Sequence, residues 1–252
     1  MKGDFWKRLK LMYFSPTEFF EKKGDKPVLK ILLSLLVFYI IFYLFANIVQ
    51  LVYYFISSGP LTIVDILAWL YMLVLNFVNP TLIFFFFVFL ISGLVFLVSK
   101  LLVKKTKGKF SESLKPVSYA FFIWLIYSFV TLVVGLIVQS IWVISAPDFA
   151  SVVPSASASI LGRFWSGISQ VSIIGLSYLK QPGALILSIV ELAQAIHFIV
   201  FMSKGISHYH KITKGKSIAV SLISIALMMV IVLLLIIGYV YVASSIGSLP
   251  GA

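Results

Sequence analysis

A helix that crosses a bilayer needs about 20 mostly apolar residues, because the hydrocarbon core is roughly 30 Å thick and each residue adds about 1.5 Å. This chain meets that requirement five times, at Ile31–Ile56, Leu82–Val103, Tyr119–Ile144, Ala184–Met202 and Ile218–Ala243. The first, third and fifth runs exceed the minimum, so tilt or an interfacial extension is expected of them. Composition agrees: 61% of the 252 residues are hydrophobic and 11% are charged, against about 45–50% and about 25% in a soluble domain. The expected fold is all-α, a polytopic membrane helix bundle of five transmembrane helices plus interfacial helices. A soluble enzyme fold is excluded. The absence of cysteine excludes disulfides, Cys-ligated zinc, iron–sulfur clusters and thiol catalysis.

Charge placement sets the expected orientation. Eighteen of the 20 Lys and Arg residues lie before the first run, around the second-to-third connection, or between the fourth and fifth runs. The positive-inside rule assigns those segments to the cytoplasm, with the N-terminus inside and the C-terminus outside. The formal net charge of +12 is then a consequence of topology, and no nucleic-acid partner is called for. The expected setting is the cell (plasma or inner) membrane. A cytoplasmic segment 1–30, a membrane domain 31–246 and a short outside tail 247–252 divide the chain. No cleavable signal peptide is visible, so the first run is expected to act as an uncleaved anchor. Leu61–Val78 holds Asp65 and Asn76 among apolar residues. A sixth span there would move six lysines outside, so an interfacial or re-entrant helix ending near Pro80 is expected.

Two segments outside the core carry helix signals. Phe5, Trp6, Leu9 and Met12 recur at near-helical spacing, with Lys7, Arg8 and Lys10 between them. That pattern suits a helix lying on an anionic leaflet. Ser15, Pro16 and Glu18 then read as N-cap, first helical residue and N3 of a capping box, with Gly24 as a stop. In the long outer connection, Ala146–Ser159 reads as flexible, and Ile160, Leu161, Phe164, Trp165, Ile168 and Val171 predict a second interfacial helix.

Few residues carry chemistry. Gly215-Lys216-Ser217 lacks the glycine that a phosphate-binding loop needs five residues earlier, where His210 stands. His208-Tyr209-His210 has no carboxylate or cysteine beside it to complete a metal site, and a solvated loop is expected there. The fourth run holds Glu191, Gln194 and His197, spread over roughly 120° of one helix side. Ionisable groups in hydrocarbon are costly and face a bundle interior or water. Interhelical hydrogen bonding and a small transporter or channel both remain open for this trio. No second membrane carboxylate accompanies Glu191, and no motif asks for a cofactor. On the cytoplasmic side, Lys7, Arg8, Lys104, Lys105 and Lys107 are the candidate contacts to anionic headgroups or to a membrane or cytoplasmic protein partner.

Three stretches share a resemblance. Ser15–Phe20 (Ser-Pro-Thr-Glu-Phe-Phe) looks like the Pro-x-x-Phe-Phe opening of prokaryotic Yip-domain (Ypt/Rab-interacting protein-like) membrane proteins. Lys107-Gly108-Lys109-Phe110-Ser111 through Tyr119-Ala120 resembles the loop before that family's third span. Gly205–Val220 is similar to its last loop. The resemblance implies an all-helical membrane domain without catalytic chemistry. The Asp-Leu-Tyr-x-Pro motif of eukaryotic relatives is absent, so their association with Rab-type GTPases is not carried over. The expected role is non-enzymatic: membrane organisation, or scaffolding of a partner protein or lipid.

Overall fold

The computed structural model describes residues 2–22, 26–58, 62–103, 108–143 and 182–247. Seven helices and no strand occur among them: α1 (Lys2–Phe14), α2 (Pro16–Lys22), α3 (Val28–Ser58), α4 (Ile63–Leu102), α5 (Phe110–Val143), α6 (Pro182–His210) and α7 (Lys214–Gly247). Five of these are long and apolar enough to cross a membrane, through Val28–Val49, Phe77–Leu102, Phe110–Gly135, Ile186–His210 and Lys214–Gly238. The chain is a multi-pass, all-α membrane protein. The interfacial helix expected over Ile160–Val171, and Lys104, Lys105 and Lys107, lie outside the described residues.

Helical periodicity separates lipid-facing from buried surface. On α3, Leu29, Leu33, Val37, Ile41, Leu44 and Ile48 are exposed, while Ile31, Leu35, Tyr39, Phe42 and Tyr43 are buried. On α4, Phe84, Phe87, Val88, Ile91, Ser92, Val95, Val98 and Ser99 are buried, three and four residues apart. In water, apolar stripes of the first kind would drive aggregation. Against lipid tails they cost nothing, so packing, small residues and hydrogen bonds decide which faces meet.

Contacts group the chain into two compact units: Met1–Asp25, Val88–Val117 and Ile199–Ala252 in the first, and Lys26–Phe87 and Ser118–Phe198 in the second. In the first unit, small serines line the buried faces. Ser217, Ser221 and Ser224 recur on one side of α7, and Ser92 and Ser99 on α4. Ser92 donates its hydroxyl to the Val88 carbonyl at 2.6 Å, and Ser221 to that of Ser217 at 2.9 Å. Such back-bonding lets a small polar side chain sit inside apolar surroundings. α1 packs on α2: the Phe19 amide donates to the Ser15 carbonyl at 2.9 Å, and the Ser15 amide donates to the Leu11 carbonyl of α1 at 2.9 Å rather than to Glu18 as the expected capping box has it. Glu18 receives the Lys22 ammonium at 2.7 Å. That hydrogen bond and its charge raise the lysine's pKa above its usual 10.5.

In the second unit, the structure corrects the expectation for Leu61–Val78. No separate interfacial helix ends near Pro80. α4 is one helix of 40 residues that runs through the proline, about 60 Å long. Proline removes the amide that would bond the carbonyl four residues back. Hydroxyl bonds to nearby carbonyls and packing against α3 hold the helix on either side of the proline. Thr81 donates to the Phe77 carbonyl at 2.6 Å, and Tyr43 of α3 donates to the Leu73 carbonyl at 3.2 Å. Tyr43 meets Phe77 edge-on at 5.2 Å, and Tyr39 stacks on Phe84 at 4.7 Å. These contacts bracket Pro80 and seat both halves of α4 against α3.

Candidate functional site

The polar trio of the fourth span lies in the second unit and is divided in its uses. Gln194 is buried on α6. Its amide donates to the Trp124 carbonyl of α5 at 3.1 Å and approaches the Ser128 hydroxyl at 3.4 Å. Ser128 itself donates to the same Trp124 carbonyl at 3.0 Å. One turn along α6, the His197 Nδ1 lies 3.3 Å from the Tyr127 hydroxyl. Glu191 is half-buried on the same helix. Two of the three side chains thus join α6 to α5. Changing Gln194 to Leu is expected to lower stability by about 0.6–1.7 kcal/mol, the range for interhelical hydrogen bonds in membranes. Thermal unfolding in detergent measures this.

A denser junction lies in the first unit, where the three distant stretches of the sequence meet. Phe20 of α2 is 1% exposed. Its ring lies 4.8 Å from Phe201 and 5.8 Å from Tyr209, both on α6. Gly205 of α6 makes room for this approach. A β-carbon there would overlap Cβ of Pro116 on α5 and fall 2.7 Å from Cζ of Phe20. Pro116, inside α5, therefore serves as a packing surface. Beside it, Lys115 holds its ammonium 5.1 Å from the centre of the Tyr209 ring, a cation–π contact.

The far end of α6 is tied to the start of α5. His210 Nε2 lies 3.0 Å from the Ser113 hydroxyl, and both residues are buried. This corrects the solvated loop expected for His208-Tyr209-His210: all three residues belong to α6, His208 exposed and His210 enclosed. The helix continues because its buried face does, through Phe198, Phe201, Met202, Ile206 and His210. That spacing of three and four residues is legible in the chain and extends past Met202. On the other side of the imidazole, a β-carbon on Gly108 would strike Nδ1 and Cε1. Close approach of backbone to ring therefore demands glycine at 108. The start of α5 is capped at Lys109, whose amide donates to the Glu112 carboxylate at 2.9 Å, the N3-to-N-cap half of a capping box.

A hydroxyl and an imidazole at hydrogen-bond distance are also the first two members of a nucleophilic triad. The triad needs a third group orienting the ring from its other nitrogen and an open path to the hydroxyl. Here Gly108 covers the Nδ1 side and Ser113 is fully buried. The pair acts as a tether between α5 and α6.

The turn from α6 to α7 stores strain. Lys211 has a φ of 52°, the left-handed conformation that glycine normally supplies just past a helix end. The Ser207 hydroxyl, donated to the Ile212 carbonyl at 2.7 Å, holds the turn. Replacing Lys211 with Gly is expected to stabilise the protein by about 0.5–1 kcal/mol, the relief of the left-handed penalty less the entropy glycine adds to the unfolded chain. A higher unfolding midpoint is the readout.

Of the candidate cationic contacts, Lys7 is exposed and Arg8 partly buried on α1, where Trp6 is 67% exposed. Reasoning from sequence missed Ser113 and the enclosure of His210.

The chain matches no protein-family model, no curated protein and no solved structure.

Proposed function

We propose that this protein is a Yip-domain-like membrane scaffold of the cell membrane, without catalytic chemistry of its own, that holds a partner protein through the face formed by α1, α2 and the lysine-rich loops. One observation carries the proposal: the three stretches that resemble the family, some 90 residues apart in sequence, come together in a single compact unit through Phe20, Gly205, Pro116, Ser113 and His210. The three stretches thus depend on one another physically. The exposed Lys7 and Trp6 of α1 add a surface suited to anionic headgroups.

Chemical crosslinking in native membranes, followed by affinity purification and mass spectrometry, tests the proposal. A stoichiometric protein crosslinked through residues 1–22 or 104–109 is the expected result. Its yield should fall when Lys7, Arg8, Lys104, Lys105 and Lys107 are changed to Glu. Recovery of the chain with lipid alone, or a partner indifferent to those charges, would overturn it.

A further inference from the structure

Within the second unit, α3 and α4 flank an open apolar cleft of about 330 Å³. Leu29, Leu33 and Leu36 of α3 form one wall, and Thr81, Leu82 and Phe85 of α4 the other. The cleft lies beside the turn where Pro80 interrupts the α4 ladder. Its single hydroxyl, that of Thr81, is already donated to Phe77. It opens toward the outside of the unit, since Leu29 and Leu82 are 67% and 64% exposed.

The lining offers water little to bond with, because it is leucine and phenylalanine apart from Thr81. An empty cleft forfeits dispersion contacts along both walls. The material available at the side of a membrane-spanning helix is the hydrocarbon chain of a lipid. A volume at the lower end of the roughly 300–1,000 Å³ typical of ligand sites suits one chain.

Charge then selects the headgroup. Lys30 is exposed on the first turn of α3, one residue after Leu29 and three before Leu33. Residues three apart share a helix face, so the ammonium lies at the same end of α3 as the cleft. We propose that the α3–α4 cleft binds one acyl chain of an anionic phospholipid, with the headgroup phosphate held by Lys30. The site uses no residue of the first unit, so it stands or falls separately from the scaffold proposal.

The test uses the full chain in phosphatidylcholine vesicles doped with a phosphatidylglycerol that carries a photoactivatable group in one acyl chain. The same label on phosphatidylcholine is the comparison. Mass spectrometry maps the adducts. The expected result is labelling by phosphatidylglycerol concentrated in the peptides around Leu29–Leu36 and Thr81–Phe85. It should exceed, several-fold, that on the exposed stripe at Ile41, Leu44 and Ile48. Lys30→Glu should bring it down to the phosphatidylcholine level. Leu33→Trp, at a half-exposed position, should fill the cleft and remove labelling with either headgroup. Should that variant not fold, the wild-type map and Lys30→Glu decide alone. Adducts spread evenly along the stripe, or cleft labelling equal for the two lipids and unchanged by Lys30→Glu, would overturn the proposal.

Discussion

Truncating Phe20 to alanine is expected to release α2 from the first unit. The ring is 1% exposed and packs on Phe201, Tyr209 and the surface left bare by Gly205. Losing a buried phenylalanine costs about 3–5 kcal/mol. α2 has only seven residues and cannot remain helical by itself, since isolated helices shorter than about 12–15 residues are marginal in water. The loss should therefore appear first as local opening and only then as global unfolding. Limited trypsin digestion of the protein in membranes reads this directly at Lys22. Cleavage there should accelerate by about two orders of magnitude if 3 kcal/mol of docking is lost, at about 1.4 kcal/mol per factor of ten. Unchanged protection at Lys22 would mean that Phe20 does not hold the helix.

The second large effect is expected at Gly205. Alanine there places a β-carbon onto Cβ of Pro116 and 2.7 Å from Cζ of Phe20. A proline ring has no alternative rotamer that clears the space, and the Phe20 ring is enclosed on its other sides. Overpacking of this kind costs about 1–3 kcal/mol. The same substitution at Gly93 of α4 or Gly238 of α7 meets nothing within 4 Å. There it should be neutral or stabilising by up to about 1 kcal/mol, the helix preference of alanine over glycine. Thermal unfolding midpoints should therefore fall for Gly205→Ala and hold or rise for the two controls. Equal behaviour of all three would show that the α2–α5–α6 approach is looser than its geometry. Combining Gly205→Ala with Phe20→Ala should cost less than the two changes added together, because removing the ring empties part of the space the new methyl needs.

Both predictions concern residues whose importance the chain half discloses. Phe20 and Gly205 stand out in the sequence as members of stretches that resemble a family. Nothing in either stretch says that one fills the notch left by the other. His210 illustrates the opposite error. Its neighbours are lysines and a second histidine, so local composition favours a solvated loop. The apolar spacing of Phe198, Phe201, Met202 and Ile206 carries the helix onward and encloses the imidazole against Ser113. At Pro80, local rules favour a helix boundary. Aromatic contacts from Tyr39 and Tyr43 and the Thr81 hydroxyl keep one helix continuous. Gln194 was visible as a polar residue in an apolar run, but only α5 reveals that its partner is a backbone carbonyl already shared with Ser128.

The sequence by itself determined that the chain is helical, that five of its described segments are long and apolar enough to cross a membrane and that α1 and α2 precede the first of them. Each of these follows from a property local to one segment: apolar length against bilayer thickness, the periodicity of a helix, or the chemistry of a cap. Tertiary structure alone decided that α4 passes through Pro80, that Gly108 and Gly205 are points of close approach, and that Ser113 meets His210 97 residues away. Those outcomes depend on which surfaces touch. In hydrocarbon, where apolar faces gain nothing by leaving lipid, that choice rests on shape and on individual hydrogen bonds, which no single segment contains.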